Sequence, residues 1–338
     1  MYYNGDKILN RKQPFNFLLG NRGIGKSYYW KRYCIRQFLD KNRKFIYVRR
    51  YKSDLDKVVS NLFDDVLNQF DKYGVVFEKG KFYITTNDGL KLDCGLAIAV
   101  SEFTKYKSAN FEDYDTIMFD EFLPEDGKYL GGRDRPFLEP ELCLNFYQTV
   151  ARGYNKPIRD EVLFLFISNS VTINNPYFQF YNIDKRLRPE TKFLKGEGFN
   201  VEVNNNLAIS KEIANSKFGQ LVKGTRYERY ALNNDFYLDN NEFIGESTGK
   251  KIYAYSLVYN GTVFGVYKYV DTGIWFISDT ADMDYPYKYS LTLKDHSFDA
   301  VMLSHLDDKF KNLRKQYAYG MLYFKNQRCK TFFESIIK

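Results

Sequence analysis

The sequence predicts an α/β domain built on a parallel sheet, followed by a smaller α+β domain. Three observations lead there. An apolar run at 15–19 passes into a Gly-rich loop, a segment of helical character from residue 26 to about 39, and a second apolar run at 44–48. Two more buried-strand runs, 116–119 and 162–167, enclose a Gly- and charge-rich loop (125–136) and a helix expected over about 138–152. Strands alternating with helices describe a parallel sheet covered on both faces. Beyond about residue 250 the pattern changes to three strand-like runs joined by Asn-Gly and Thr-Gly turns, an antiparallel meander.

The remaining elements follow in order. Leu55, Val58, Val59, Leu62, Phe63, Val66, Leu67 and Phe70 recur at helical spacing and predict one amphipathic helix over 53–72. Short strands are expected at 75–77, 81–86 and 96–100, with a hairpin turn at Asn87-Asp88-Gly89. Residues 195–217 are polar and Asn-rich and read as a connecting segment. From about 299 the chain reads as helical. The expected organisation is therefore a first domain over 1–195, a linker over 196–220 and a C-terminal domain over 221–338. A length of 338 residues suits two domains of roughly 150 residues each.

Composition sets the outer limits. Thirty Tyr, 30 Phe and a 44% hydrophobic share are too much apolar surface for a disordered chain. The net charge of +8, most of it in the first 200 residues, permits a polyanion partner. No apolar run approaches the roughly 18 residues that cross a bilayer, and the opening residues lack the apolar core of a signal peptide. Four scattered Cys and two His form no standard zinc spacing. A soluble, reduced, cytosolic protein without membrane contact is expected.

Gly20-Asn21-Arg22-Gly23-Ile24-Gly25-Lys26-Ser27 matches G-x-x-x-x-G-K-[ST] in full, with a strand before it and a helix after it. Its backbone N–H groups are suited to wrapping phosphates at the positive end of the helix. Lys26 then reaches the β- and γ-phosphates and Ser27 ligates Mg²⁺. The run Thr116-Ile117-Met118-Phe119-Asp120-Glu121 delivers a second metal ligand, Asp120, to a strand end. Glu121 beside it suits a base that orients water, which favours an ATPase over a kinase. No guanine-reading [NT]KxD motif occurs, so ATP is favoured over GTP. Ser168-Asn169, at the end of the next strand, can sense the γ-phosphate or be an ordinary strand-ending turn. Arg152, after the 138–150 helix, is a candidate for stabilising phosphoryl charge across a subunit boundary or a plain surface arginine. Arg159 is the weaker candidate.

Basic residues are the less specific signal. Between Arg22 and Lys52 there are eleven basic side chains and one acidic, densest at Arg49-Arg50-Tyr51-Lys52. Further nucleotide contacts, a surface against a neighbouring subunit and solvated charge all fit this run. Lys105, Lys107, Arg133 and Arg135 lie in loops beside the sheet, where they can follow a DNA backbone without reading bases or can simply be solvated. A last basic cluster runs from Lys309 to Lys330 and fits RNA, an acidic protein or a soluble helix face.

GNRGIGKS, KFIYVRRYK, IMFDEF and FISNSV-x-x-x-NPYF occur in this order, followed by FGQLVKGTRY, NNEFIG and SLVYNGTVFGV. Together they resemble the DNA-packaging ATPases of the small protein-primed podophages, the phi-twenty-nine group, over nearly the whole chain. The resemblance implies an ASCE-type P-loop ATPase domain, a linker and an RNase H-like C-terminal domain. It also implies a homo-oligomeric ring, a pentamer in that family, which drives double-stranded DNA through the portal into an empty procapsid with ATP and Mg²⁺. The ring would act in the host cytoplasm, transiently at the portal vertex, and be absent from the mature virion. A structural packaging RNA is a possible further partner.

Carried over by residue, Lys26 and Ser27 are the Walker A pair, Asp120 the Walker B metal ligand and Glu121 the catalytic glutamate. Arg152 matches the trans-acting arginine finger, and Lys52, with Arg49 and Arg50 beside it, a basic residue serving the neighbour's site. The first strand expected in the C-terminal domain, 253–259, carries no acid, and Asp279, Asp282 and Asp284 lack that partner. A two-metal nuclease is therefore not expected, and the domain reads as a docking module. Rival readings are a helicase or other translocase of the same class, an ATP-gated capsid-assembly module without turnover, and a two-activity terminase.

Overall fold

The computed structural model describes residues 2–132, 135–187, 191–204, 206–225, 228, 242–304 and 307–337. The chain divides into two compact units, Met1–Leu238 and Asp239–Lys338. Among the described residues no helix is long and apolar enough to cross a membrane. All four cysteines are buried and free.

The first unit is one sheet of β1 (Phe15–Gly20), β2 (Lys44–Arg49), β3 (Tyr73–Glu78), β4 (Lys81–Thr86), β5 (Lys91–Ala99), β6 (Tyr114–Asp120), β7 (Leu163–Ile167), β8 (Phe193–Lys195) and β9 (Phe199–Asn204). Their order is β3-β4-β5-β2-β6-β7-β1-β9-β8. From β5 to β9 every pairing is parallel. The β3–β4 hairpin and β8 are antiparallel additions at the two edges. Parallel strands bury both faces, which explains the uninterrupted apolar runs. Phe15, Phe17 and Leu19 of β1 share one core with Phe164, Phe166 and the helix Leu138–Ala151. Leu18, Leu165 and Met118 face the opposite core, filled by Trp30, Ile35 and Phe38 of the helix Lys26–Lys41.

Two expectations are corrected here. The single helix over 53–72 is three short pieces, Lys52–Val58, the 3₁₀ turn Val59–Asn61 and Asp64–Leu67. The buried Lys31 amine takes up the Leu62 carbonyl (2.9 Å) and pairs with Asp65, which competes with a continuous helical ladder. The linker expected from 196 is also displaced. Residues 199–204 are β9, hydrogen-bonded along the whole of β1, and the compact unit runs on to Leu238. Val201 and Val203 alternate into the core, a short period-2 signal that the surrounding Asn residues masked.

The second unit holds β10 (Lys251–Tyr259), β11 (Thr262–Tyr269), β12 (Trp275–Ser278), β13 (Lys288–Ser290), β14 (Val301–Met302) and β15 (Leu322–Phe324). Their order is β14-β13-β10-β11-β12-β15. The meander β10–β11–β12 is antiparallel, while β13 and β14 are added in parallel on the β10 side. β15 is added in parallel at the β12 edge, which makes a mixed six-stranded sheet. Asn260 and Gly261 both adopt positive φ (48° and 73°), the turn that the Asn-Gly pair predicts. Leu257, Phe264, Phe324 and Phe333 form the core with helices Asp308–Ala318 and Gln327–Ile337. The helical end expected from 299 is thus interrupted by β14 and β15.

Candidate active site

The order β6-β7-β1 sets one strand between the glycine loop and the acidic pair, and all three strands end at the same carboxyl edge. Crevices outside that edge are where open α/β sheets bind ligands. The last residue of β1 is glycine because a Cβ there would stand 2.4 Å from the Asn204 carbonyl oxygen of β9. Gly25 (φ 92°) then turns the chain into the helix Lys26–Lys41. Lys26 folds back on its own loop and donates to Gly20 O and Asn21 O, each at 2.9 Å. Burial lowers its pKa to about 7, with Asp120 opposing the shift. The Asn21 amide donates to Ser210 Oγ at 2.7 Å and ties the loop to the helix Leu207–Ala214.

Opposite the loop, Ser27 Oγ donates to Asp120 Oδ1 at 3.1 Å. Cis ligands of an octahedral Mg²⁺, each about 2.1 Å from the ion, stand about 3 Å apart, so these two oxygens fit the cation. Tyr47 donates to the other oxygen of Asp120 at 3.4 Å. Glu121 adopts the left-handed conformation (φ 60°), its N–H donating to Ile167 O of β7 at 2.8 Å. Such a conformation in a non-glycine residue concentrates at functional sites. The turn aims the Glu121 carboxylate into a cleft of about 500 Å³ that Ser168 and Asn169 also line. Arg49 enters the same cleft and forms an ion pair with Glu121, with its other terminus 4.0 Å from Asp120.

Comparison with known proteins decides the relationship. The model of the podovirus DNA encapsidation protein (Gp16) family matches residues 1–338. The DNA packaging protein of Bacillus phage phi29 is 34% identical over 335 residues, 97% of this chain and 94% of that protein. That of Bacillus phage B103 is 33% identical over 334 residues, 96% of each. A chain of the bacteriophage phi29 viral genome packaging motor assembly superposes with a TM-score of 0.77 at 32% identity, covering 99% of this chain and 98% of that one. The crystal structure of the N-terminal domain of the phi29 DNA packaging ATPase aligns with 61% of this chain and 97% of its own (TM-score 0.52, 35% identity). The chain belongs to the podovirus DNA encapsidation protein family.

The basic residues expected of this encapsidation protein fall into separate environments. Arg50 is a correction. It was expected beside Lys52 as a residue serving a neighbour's site, but it is buried in its own unit. It pairs with the fully buried Glu139 (2.7 Å) and donates to Phe122 O (2.6 Å), and so holds the loop that follows Glu121. Both arginines line the cleft, but Arg49 pairs with Glu121 there while Arg50 turns its guanidinium to the buried Glu139. Arg159 donates to the carbonyls of Phe111 (3.1 Å), Tyr114 (2.7 Å) and Val150 (2.8 Å). It is a buried brace, which removes it as an arginine finger.

Lys52, first residue of its helix, and Arg152, first after the helix Leu138–Ala151, are both exposed and lie outside the residues lining the cleft. Lys107 and Arg135 share a shallow pocket over Phe103 and Phe146, while Lys105 pairs with Glu102 at 2.7 Å. Arg133 lies outside the described residues. Glu139 is the residue that the sequence did not signal. It sits among apolar neighbours in a helix, and its partners Arg50 and Tyr177 are remote in the chain.

In the second unit Asp279 forms an ion pair with Lys325 (2.8 Å) and accepts from the Asn326 amide (2.9 Å). Asp282 and Asp284 are exposed, and the buried polar residue of β10 is Ser256. Among the described residues no three His, Cys, Asp or Glu side chains gather as a metal site requires.

Proposed function

We propose that this encapsidation protein is the ATP-hydrolysing subunit of a homo-oligomeric ring that drives double-stranded phage DNA through the portal into the procapsid. The observation that carries the reading is the Ser27–Asp120 hydrogen bond with Glu121 next in sequence, a metal-ligand pair beside a general base. The loop Gly20–Ser27 wraps the phosphates, and Lys26 exchanges its loop carbonyls for phosphate oxygens. Ser27 and Asp120 would hold Mg²⁺, which would neutralise part of the phosphate charge. Glu121, released from Arg49, orients a water for attack on the γ-phosphorus and accepts its proton as the bond to the β,γ-bridging oxygen breaks and ADP leaves. Arg152 of a neighbouring subunit stabilises the transferred phosphoryl group, and Lys52 assists from the same surface. Ser168 and Asn169 report loss of the γ-phosphate. Lys105, Lys107, Arg133 and Arg135 contact the DNA backbone, since a packaging motor must be indifferent to sequence.

The test is ATP hydrolysis by the purified protein with and without double-stranded DNA. Hydrolysis should rise with DNA and be lost in both Lys26→Ala and Arg152→Ala. Mixing the two variants should restore part of the rate, because each retains the half-site that the other lacks. A rate that depends on Lys26 but is indifferent to Arg152 at every subunit concentration overturns the shared-site ring.

A further inference from the structure

We infer that Tyr2–Asn4 form the nucleobase shelf of the ATP site, with the ring of Tyr2 as the platform on which the purine stacks. The inference deepens the ATPase reading and rests on it. Sheet order gives the direction. Asp120 and Glu121 close β6, which lies beyond β7 from β1, so the γ end of a triphosphate held by Lys26 points toward that side. The nucleoside must then leave on the other flank of the loop, toward β9.

That flank is occupied by the segment before β1. The Tyr3 N–H donates to the loop carbonyl of Ile24 at 2.8 Å. Its phenol donates to the Glu202 carboxylate of β9 at 2.8 Å, and its ring meets that of Tyr29 edge-on at 5.6 Å. Tyr3 is buried and joins both the phosphate loop and the neighbouring strand, so residue 2 is held at a fixed place. Asn4 is locked next to it by two bonds with Asp6, at 2.8 and 2.9 Å.

The ring of Tyr2 lies against Gly25, where a Cβ would stand 3.5 Å from its Cδ1, and 74% of the residue is exposed. A large aromatic held at the loop with its surface in solvent has the chemistry of a stacking platform. Stacking accepts any base and favours the larger purine face. The anchored Tyr3 supplies the rigidity that makes stacking selective for a bound nucleotide over free rotation of the side chain.

The experiment compares Mg²⁺-ATP with Mg²⁺-tripolyphosphate, the same phosphate chain without a nucleoside, by calorimetry on the full chain. Tyr2→Ala should weaken ATP binding about tenfold and leave tripolyphosphate binding unchanged, while Tyr2→Trp keeps both. Equal loss for the two ligands, or loss for neither, overturns the shelf. Lys26→Ala is the separate arm: it must weaken both ligands, and if it weakens neither, the phosphate-site reading has failed rather than the shelf. Thermal unfolding of Tyr2→Ala, expected within error of the parent because the side chain is exposed, excludes a folding defect.

Discussion

The two sheets of this protein each end a strand in an aspartate, and the two aspartates have opposite fates. Asp120 closes β6 with the Ser27 hydroxyl at 3.1 Å on one oxygen and the Tyr47 hydroxyl at 3.4 Å on the other, next to a glutamate that lines an open cleft. Asp279 follows β12 and is ion-paired with Lys325 and hydrogen-bonded by Asn326 of its own unit. A strand-end carboxylate can serve chemistry where the surrounding elements bring a second metal ligand to it rather than a close countercharge. The first sheet does so through a phosphate loop one strand away. The second fills the same kind of position with a lysine.

The comparison can be broken in four places. The largest effect is expected at Glu121: Glu121→Gln should lower the steady-state ATPase rate by about 10²–10⁴-fold with little change in ATP affinity. Asp279→Asn should leave that rate alone. A comparable loss from Asp279→Asn would erase the distinction between the two sheets.

Next comes Arg50, adjacent to Arg49 but paired with a buried partner, Glu139. Arg50→Ala strands the buried Glu139 charge and should cost about 3–5 kcal/mol in denaturant unfolding of the first unit. Arg49→Ala removes a half-open pair in the cleft, with Glu121 64% exposed, and should leave stability nearly unchanged. Arg50→Ala with full stability and lost activity would return Arg50 to the role its sequence neighbours suggested.

The pH dependence of ATP binding follows from Lys26. Its pKa of about 7 in the ATP-free protein leaves the amine half neutral at pH 7, while phosphates favour the charged form. Binding therefore takes up a proton, and affinity should fall by up to about tenfold per unit as pH rises above 7. Calorimetry in two buffers of different ionisation enthalpy measures the proton directly. Binding with no proton uptake at pH 8 would show that the amine is already charged.

The smallest effect is at Asp279. Asp279→Asn keeps the bond from Asn326 but loses the ion pair to a lysine whose side chain is 36% exposed, so a stability loss of about 1 kcal/mol is expected.

Much of the first site was legible because its signals are local. The eight residues of the glycine loop carry their own backbone requirements, and Asp120-Glu121 follow directly on an apolar strand. The basic run was not legible in the same way. Arg49, Arg50 and Lys52 look alike in sequence, yet one pairs in the cleft, one is buried and one is exposed. Nothing within the run separates them, because the deciding partners, Glu121 and Glu139, are 72 and 89 residues away. β9 was hidden for a related reason: its strand character is only six residues long and is completed by pairing with β1.

The sequence alone thus determined the strand–loop–helix of the glycine-rich motif, the acidic pair, the antiparallel meander with its Asn-Gly turn, and the family. Each is fixed by the conformational needs of a few consecutive residues or by a motif order that is itself sequential. Tertiary structure decided that β7 separates the loop from the acids, that Asp120 meets a serine hydroxyl while Asp279 meets a lysine, and that Tyr3 bridges Ile24 and Glu202 beside the loop. Those outcomes depend on groups up to 199 residues apart meeting in one place, and only the packed sheet sets which of them meet.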